Sequence, residues 1–222
     1  MPSHTDDSHP HQGTPVLRLG SELPQARRAL ILLHGRGASA QDMAGLAQEL
    51  ALPDDMIVLA PQASGNIWYP QRLTATVESN EPYLSSALLR VSEVVATLAE
   101  GGIPAEKVWI GGFSQGASLA IEFVLRSARR WGGLLAFSGG FIWPLGKPRP
   151  AAGSVQGTPV FLGCSDVDPY IPRSRVEETA AILEAMGAHV TQRLYPGMGH
   201  TINQDEITWA QTLISRTNAS QT

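Results

Sequence analysis

A serine stands between two glycines in "GGFSQGAS", residues 111–118, which reads Gly112-Phe113-Ser114-Gln115-Gly116 at its centre. A serine hydroxyl is a poor nucleophile unless a base takes its proton, and that base needs an acid to orient it. A sharp turn from strand to helix would hold such a hydroxyl exposed. It leaves no room for side chains two residues to either side, which accounts for the glycines. The helix that follows aims its first N–H groups at a developing oxyanion. The chemistry this pattern suits is acyl transfer from a carbonyl to the serine and then to water. The competing reading is an ordinary strand-to-helix turn.

On such an elbow the acid and then the histidine follow the serine along the chain. Two histidines do so. His189 opens an apolar run and reads as structural. His200, in "YPGMGHT", follows a predicted strand and is flanked by Gly197 and Gly199, so it is the candidate base. The segment "GCSDVDPYIP" offers Asp166 and Asp168 as the acid, and spacing does not separate them. One oxyanion donor would be the Gln115 amide. The other would be the Arg36 amide in "LLHGRGAS" (32–39), where Gly35 and Gly37 let the backbone turn close to a substrate. His34 precedes this turn and reads as a buried histidine that braces it.

These groups must be carried by elements that bring distant residues together. Apolar runs at 29–34, 56–61, 107–113, 132–138, 158–164 and 189–197 predict strands. The first five are nearly continuous in apolar residues, as strands buried on both faces of a parallel sheet are. Helical periodicity predicts helices over 41–51, 83–100, 115–128, 172–187 and 203–216. Strand alternating with helix gives an α/β fold with right-handed crossovers. In a sheet of this kind reactive groups gather at the carboxyl ends of the strands, and Ser114 falls at one. Residues 1–14 are polar and aperiodic and predict a disordered tail before a single domain over 15–222. Three of the six histidines, His4, His9 and His11, lie in that tail, where they are expected to hang in solvent.

The bulk composition agrees with a globular protein: 222 residues, 43% hydrophobic and 16% charged, are enough for a sizeable core. A net charge of -4 and no basic stripe argue against nucleic acid as a partner. Cys164 is the single cysteine, so no intrachain disulfide can form. No apolar run approaches the ~18 residues of a membrane span, and the N-terminus lacks the apolar stretch of a signal peptide. The expectation is a cytoplasmic protein without stable membrane insertion.

With "LLHGRGAS", "GFSQGAS", "DPYIP" and "GMGHT" in this order, the chain resembles the phospholipase/carboxylesterase family of α/β-hydrolases, which includes acyl-protein thioesterases and small bacterial carboxylesterases. The similarity covers about residues 15–216. It implies an α/β-hydrolase fold: a mostly parallel central sheet, helices on both faces and no large cap domain. It implies Ser114, Asp168 and His200 as the catalytic residues and Arg36 and Gln115 as the oxyanion donors, which favours Asp168 over Asp166. It further implies a pocket lined by Trp68, Tyr69 and Leu73, a small-molecule ester with a short- to medium-chain acyl group as substrate, with thioesters and lysophospholipids as alternatives, no metal or organic cofactor, and homodimers as an assembly the family often adopts. The family usually carries an aliphatic residue where this chain has Arg36, whose side chain is expected to point to solvent while its amide serves the site. The rival readings are a dienelactone-hydrolase-like enzyme, a peptidase, and a non-catalytic binding module on the same fold.

Overall fold

The computed structural model describes residues 8–219. Seven strands form one sheet: β1 (Val16–Gly20), β2 (Arg28–Leu33), β3 (Met56–Pro61), β4 (Val108–Phe113), β5 (Gly133–Phe137), β6 (Pro159–Ser165) and β7 (His189–Tyr195). Their spatial order is β1-β3-β2-β4-β5-β6-β7. β1 runs antiparallel to β3, and every other pairing is parallel. Among the described residues five α-helices accompany it: α1 (Asp42–Glu49), α2 (Tyr83–Glu100), α3 (Gln115–Ser127), α4 (Arg173–Ala185) and α5 (Gln204–Ala219).

Alternation along each strand sorts the core into two layers. Ala29, Ile31 and Leu33 of β2 join the cluster that includes Val91 of α2, Leu119 of α3 and Val176 of α4. Leu30 and Leu32 of the same strand join Met43 and Leu46 of α1 and Ile207, Ala210 and Ile214 of α5 on the opposite face. Both faces of the central strands are therefore covered, which is why their sequences are continuous apolar runs rather than alternating ones. Between β5 and β6 no helix or strand intervenes, so no large cap domain sits over the sheet.

The chain passes from β2 outward to β3, then returns across β2 to β4 and continues outward on the other side. The strand order thus reverses between β2 and β4, and a crevice opens at their carboxyl ends. Register brings Leu33 beside Gly112, so the loop after β2 meets the turn after β4 there.

Two features depart from the sequence expectations. β1 was not among the predicted strands; it is five residues long, half-buried and at the sheet edge, so its apolar signal is weak. The expected tail also does not extend to residue 14. His11 is fully buried, its backbone N–H donates to Ser86 Oγ at 2.9 Å, and its ring bonds Ser64 N and the Trp68 carbonyl. His9 is partly buried, and His4 lies outside the described residues.

Candidate active site

β4 ends at Phe113 and α3 starts at Gln115, so Ser114 alone makes the turn. Its backbone sits at φ 55°, ψ -116°, a left-handed conformation that is strained for a residue with a Cβ. The two glycines have a steric reason. A Cβ on Gly112 would lie 2.4 Å from the Leu33 carbonyl oxygen, and one on Gly116 would lie 2.0 Å from it. Only glycine lets the start of α3 press against the end of β2 this closely.

Loops from three strand ends converge on the hydroxyl. His200, in the loop after β7, places Nε2 2.8 Å from Ser114 Oγ. Its Nδ1 lies 2.7 Å from Oδ2 of Asp168, in the loop after β6. The Asp168 side chain is fully buried and that of His200 is 17% exposed. Asp168 Oδ1 accepts the N–H groups of Tyr170 and Ile171 at 2.8 and 3.0 Å, which fixes the carboxylate toward the ring. The Cys164 thiol, its pKa pushed up to about 12 by burial, remains a protonated S–H donor 3.7 Å from Asp168 Oδ2. The imidazole packs between the Phe113 and Tyr170 rings, each 4.8 Å away between centroids. Asp166 turns elsewhere: its Oδ1 accepts the Gly197 N–H at 2.8 Å and so anchors the loop that carries His200. His189 is at the far, amino end of β7, paired with Pro159.

Gln115 is the first residue of α3, so helix geometry leaves its N–H without an intrahelical acceptor. The Arg36 amide, in the loop after β2, donates to nothing among the described residues. His34 braces that loop from inside. It is fully buried, its Nδ1 lies 2.8 Å from the Gly35 carbonyl, and its Nε2 accepts the Ala63 N–H at 3.0 Å. Burial lowers its pKa, keeping it neutral.

A cavity of about 650 Å³ opens on Ser114 and His200. Tyr69 and Leu73 line it, and so do Phe113, Tyr170, Ile171 and Arg72, which sequence reasoning missed. Trp68 does not. It is fully buried, donates its indole N–H to the His34 carbonyl at 2.9 Å, and stacks near His11 and His34. Nothing in "NIWYPQRL" itself separates the two adjacent aromatics.

The pocket loop is held from two directions. The Gln115 side chain accepts the Trp68 N–H at 2.8 Å and donates to the Tyr69 carbonyl at 2.8 Å. The Arg36 guanidinium donates to the carbonyls of Tyr69 and Gln71 at 2.8 and 2.9 Å. Arg36 therefore does not point its side chain freely into solvent, as the sequence suggested; it clasps the loop opposite.

A family model for phospholipase/carboxylesterase matches residues 19–218. The chain belongs to the phospholipase/carboxylesterase family. Its members are hydrolases, and the fold is that of α/β-hydrolases. The solved structure of a phospholipase/carboxylesterase from Dyadobacter fermentans shares 44% identity with this family member. It superposes with a TM-score of 0.87 and covers 91% of this chain and 96% of its own. The protein named acyl-protein thioesterase 1 from Eremothecium gossypii is 29% identical over 209 residues, 86% of this chain and 88% of that one. A Bacillus cereus carboxylesterase, 19% identical, shares the fold with a TM-score of 0.72 over 93% of this chain and 95% of its own. Among the described residues, no helix is long and apolar enough to cross a membrane.

Proposed function

We propose that this hydrolase cleaves carboxylic esters, and thioesters by the same route, through a Ser114-His200-Asp168 triad and an acyl-enzyme. The observation that carries the reading is the unbroken relay of 2.8 Å from Ser114 Oγ to His200 Nε2 and 2.7 Å from His200 Nδ1 to Asp168. His200 takes the Ser114 proton as Oγ attacks the carbonyl carbon. Asp168 holds the Nδ1–H tautomer and stabilises the imidazolium. The amides of Gln115 and Arg36 stabilise the tetrahedral oxyanion. His200 returns its proton to the departing alcohol or thiol. Water, deprotonated by His200, then attacks the acyl-enzyme and releases the acid and free Ser114.

The open cavity without a cap suits short- to medium-chain acyl groups. Thioesters belong to the reading because a relative covering most of the chain carries a thioesterase name. The single cysteine is buried and unpaired, which supports a cytoplasmic setting. Hydrolysis of 4-nitrophenyl esters from acetate to palmitate tests the proposal, with Ser114→Ala beside the wild type. Activity peaking at short or medium chains and lost in the variant is expected. Wild-type rates in Ser114→Ala would sink it.

A further inference from the structure

Among the described residues, two arginines line the cavity, Arg36 and Arg72, and no aspartate, glutamate or lysine lines it with them. Several carboxylates on the surrounding elements have partners of their own. Asp168 faces His200 and the amides behind it. Glu122 is buried against Arg126 and Arg149. Asp42 binds Ser39, Glu81 binds Ser85, and Asp166 binds the Gly197 amide. Among the described residues, the two guanidinium charges at the cavity mouth form no ion pair with a carboxylate.

The two arginines are not equivalent. Arg36 spends N–H groups on the Tyr69 and Gln71 carbonyls. Arg72 is exposed, lines the cavity, and its guanidinium makes no hydrogen bond, ion pair or ring contact among the described residues. Its backbone is nonetheless fixed. Gln71 N donates to Asn80 Oδ1 at 2.8 Å, Arg36 and Gln115 grip Tyr69 and Gln71 before it, and Leu73 after it is buried. A rigid loop therefore presents a guanidinium with all five donors free beside an apolar surface that includes Leu73, Phe113 and Ile171. Such a fork matches a carboxylate or a phosphate, and low-dielectric cleft walls strengthen the attraction.

We propose that Arg72 is a specificity-determining residue whose guanidinium recognises an anionic group, a carboxylate or a phosphate, carried by the ester substrate. The inference rests on the ester-hydrolase reading of the same site. The apolar surface takes the carbon chain next to the scissile carbonyl, and Arg72 takes the charge at its far end. The preferred substrates are then small anionic esters rather than neutral long-chain lipids.

The test uses the full chain and two matched pairs of esters. In one pair the charge is a carboxylate on the acyl side: mono-4-nitrophenyl adipate against 4-nitrophenyl hexanoate. In the other it is a phosphate on the alcohol side: 1-butyrylglycerol 3-phosphate against 1-butyrylglycerol, followed by proton release. The readout is the ratio of kcat/KM within each pair, which cancels any general loss of activity in a variant. In at least one pair Arg72→Ala lowers the anionic-to-neutral ratio tenfold or more, mainly through KM. Arg72→Glu lowers it further and Arg72→Lys restores part of it. Raising NaCl from about 0.05 to about 0.5 M erodes the wild-type ratio, because an exposed guanidinium is screened. The pair that responds identifies which anion, and which side of the ester, the site reads. Ratios that agree within twofold between wild type and Arg72→Ala in both pairs overturn the proposal while leaving the ester-hydrolase reading standing. No cleavage of any of the four esters by folded wild-type protein overturns both.

Discussion

Gln115 has two jobs, and Gln115→Met separates them. Its amide N–H belongs to the backbone and survives the substitution. Its side chain, 6% exposed, makes two hydrogen bonds of 2.8 Å to the pocket loop. Methionine has nearly the same length and fills the same space, so the cavity cost is small. What is lost is polar. The Tyr69 carbonyl keeps Arg36 as a donor. The Trp68 N–H, on a fully buried residue, keeps none. A buried donor left unsatisfied costs about 1–3 kcal/mol, and the second bond contributes about 1 kcal/mol net. The sum is roughly 2–4 kcal/mol, or roughly 4–16 °C in Tm for a chain of this size. Urea unfolding at neutral pH, with the slope m unchanged, measures it. Because Trp68 and Tyr69 set the position of the cavity wall, KM for a 4-nitrophenyl ester should rise more than kcat falls. A stability change under ~0.5 kcal/mol with unaltered KM would refute the claim that this side chain holds the loop.

Four further outcomes follow from the geometry. Asp168→Asn should lower kcat by about 10³–10⁴-fold through the wrong imidazole tautomer, while Asp166→Asn, whose retained Oδ1 still accepts the Gly197 amide, should cost less than about tenfold; steady-state kinetics on 4-nitrophenyl butyrate distinguishes them. Gly116→Ala forces a methyl to within 2.0 Å of the Leu33 carbonyl oxygen, so its thermal midpoint should fall by far more than that of an exposed Gly→Ala change, or the protein should fail to fold. His11 is buried and its pKa is lowered by burial; its contribution to stability is complete above the unfolded value of about 6.5 and lost as pH falls through the lower folded value, so His11→Gln should flatten the decline in urea midpoint below pH ~6.5. Glu206 titrates in the opposite sense. It closes the cap of α5 with Asn203, one carboxyl oxygen is buried without a partner, and burial raises its pKa to about 7. Its contribution is complete below the unfolded value near ~4.3 and lost as pH rises through about 7, so the stability of Glu206→Gln relative to wild type should climb between pH ~5 and ~7.5 by about 3 kcal/mol at most.

Much of this molecule can be read from its residues because the strongest signals are local. The buried parallel strands are continuous apolar runs, and α2 spans residues 83–100 as its periodicity predicts. The elbow is legible because two steric facts, a strained Ser114 and the close approach of α3 to β2, both demand glycine at fixed offsets. Other features depend on contacts between distant residues. Nothing near His11 in the chain indicates that it will be buried against Ser64, Trp68 and Ser86, more than fifty residues away. Trp68 and Tyr69 are adjacent aromatics, yet one braces the core and the other lines the cavity, and only the fold decides which. Asp166 and Asp168 are alike by spacing; the path of the loop after β7 puts Gly197 at one and His200 at the other. Arg36 and Arg72 show the same limit for charge. Composition counts both alike, while the three-dimensional arrangement gives one a clasping role and leaves the other free in the cavity.

Hydrolysis by the proposed route requires Ser114 to be an activated nucleophile. A fluorophosphonate probe reacts with such a serine and becomes covalently attached, and peptide mass spectrometry locates the attachment. One labelled peptide containing Ser114 is expected, lost in Ser114→Ala and labelled far more slowly in His200→Ala. Folded wild-type protein that takes up no probe, or a label that persists in Ser114→Ala, would contradict it.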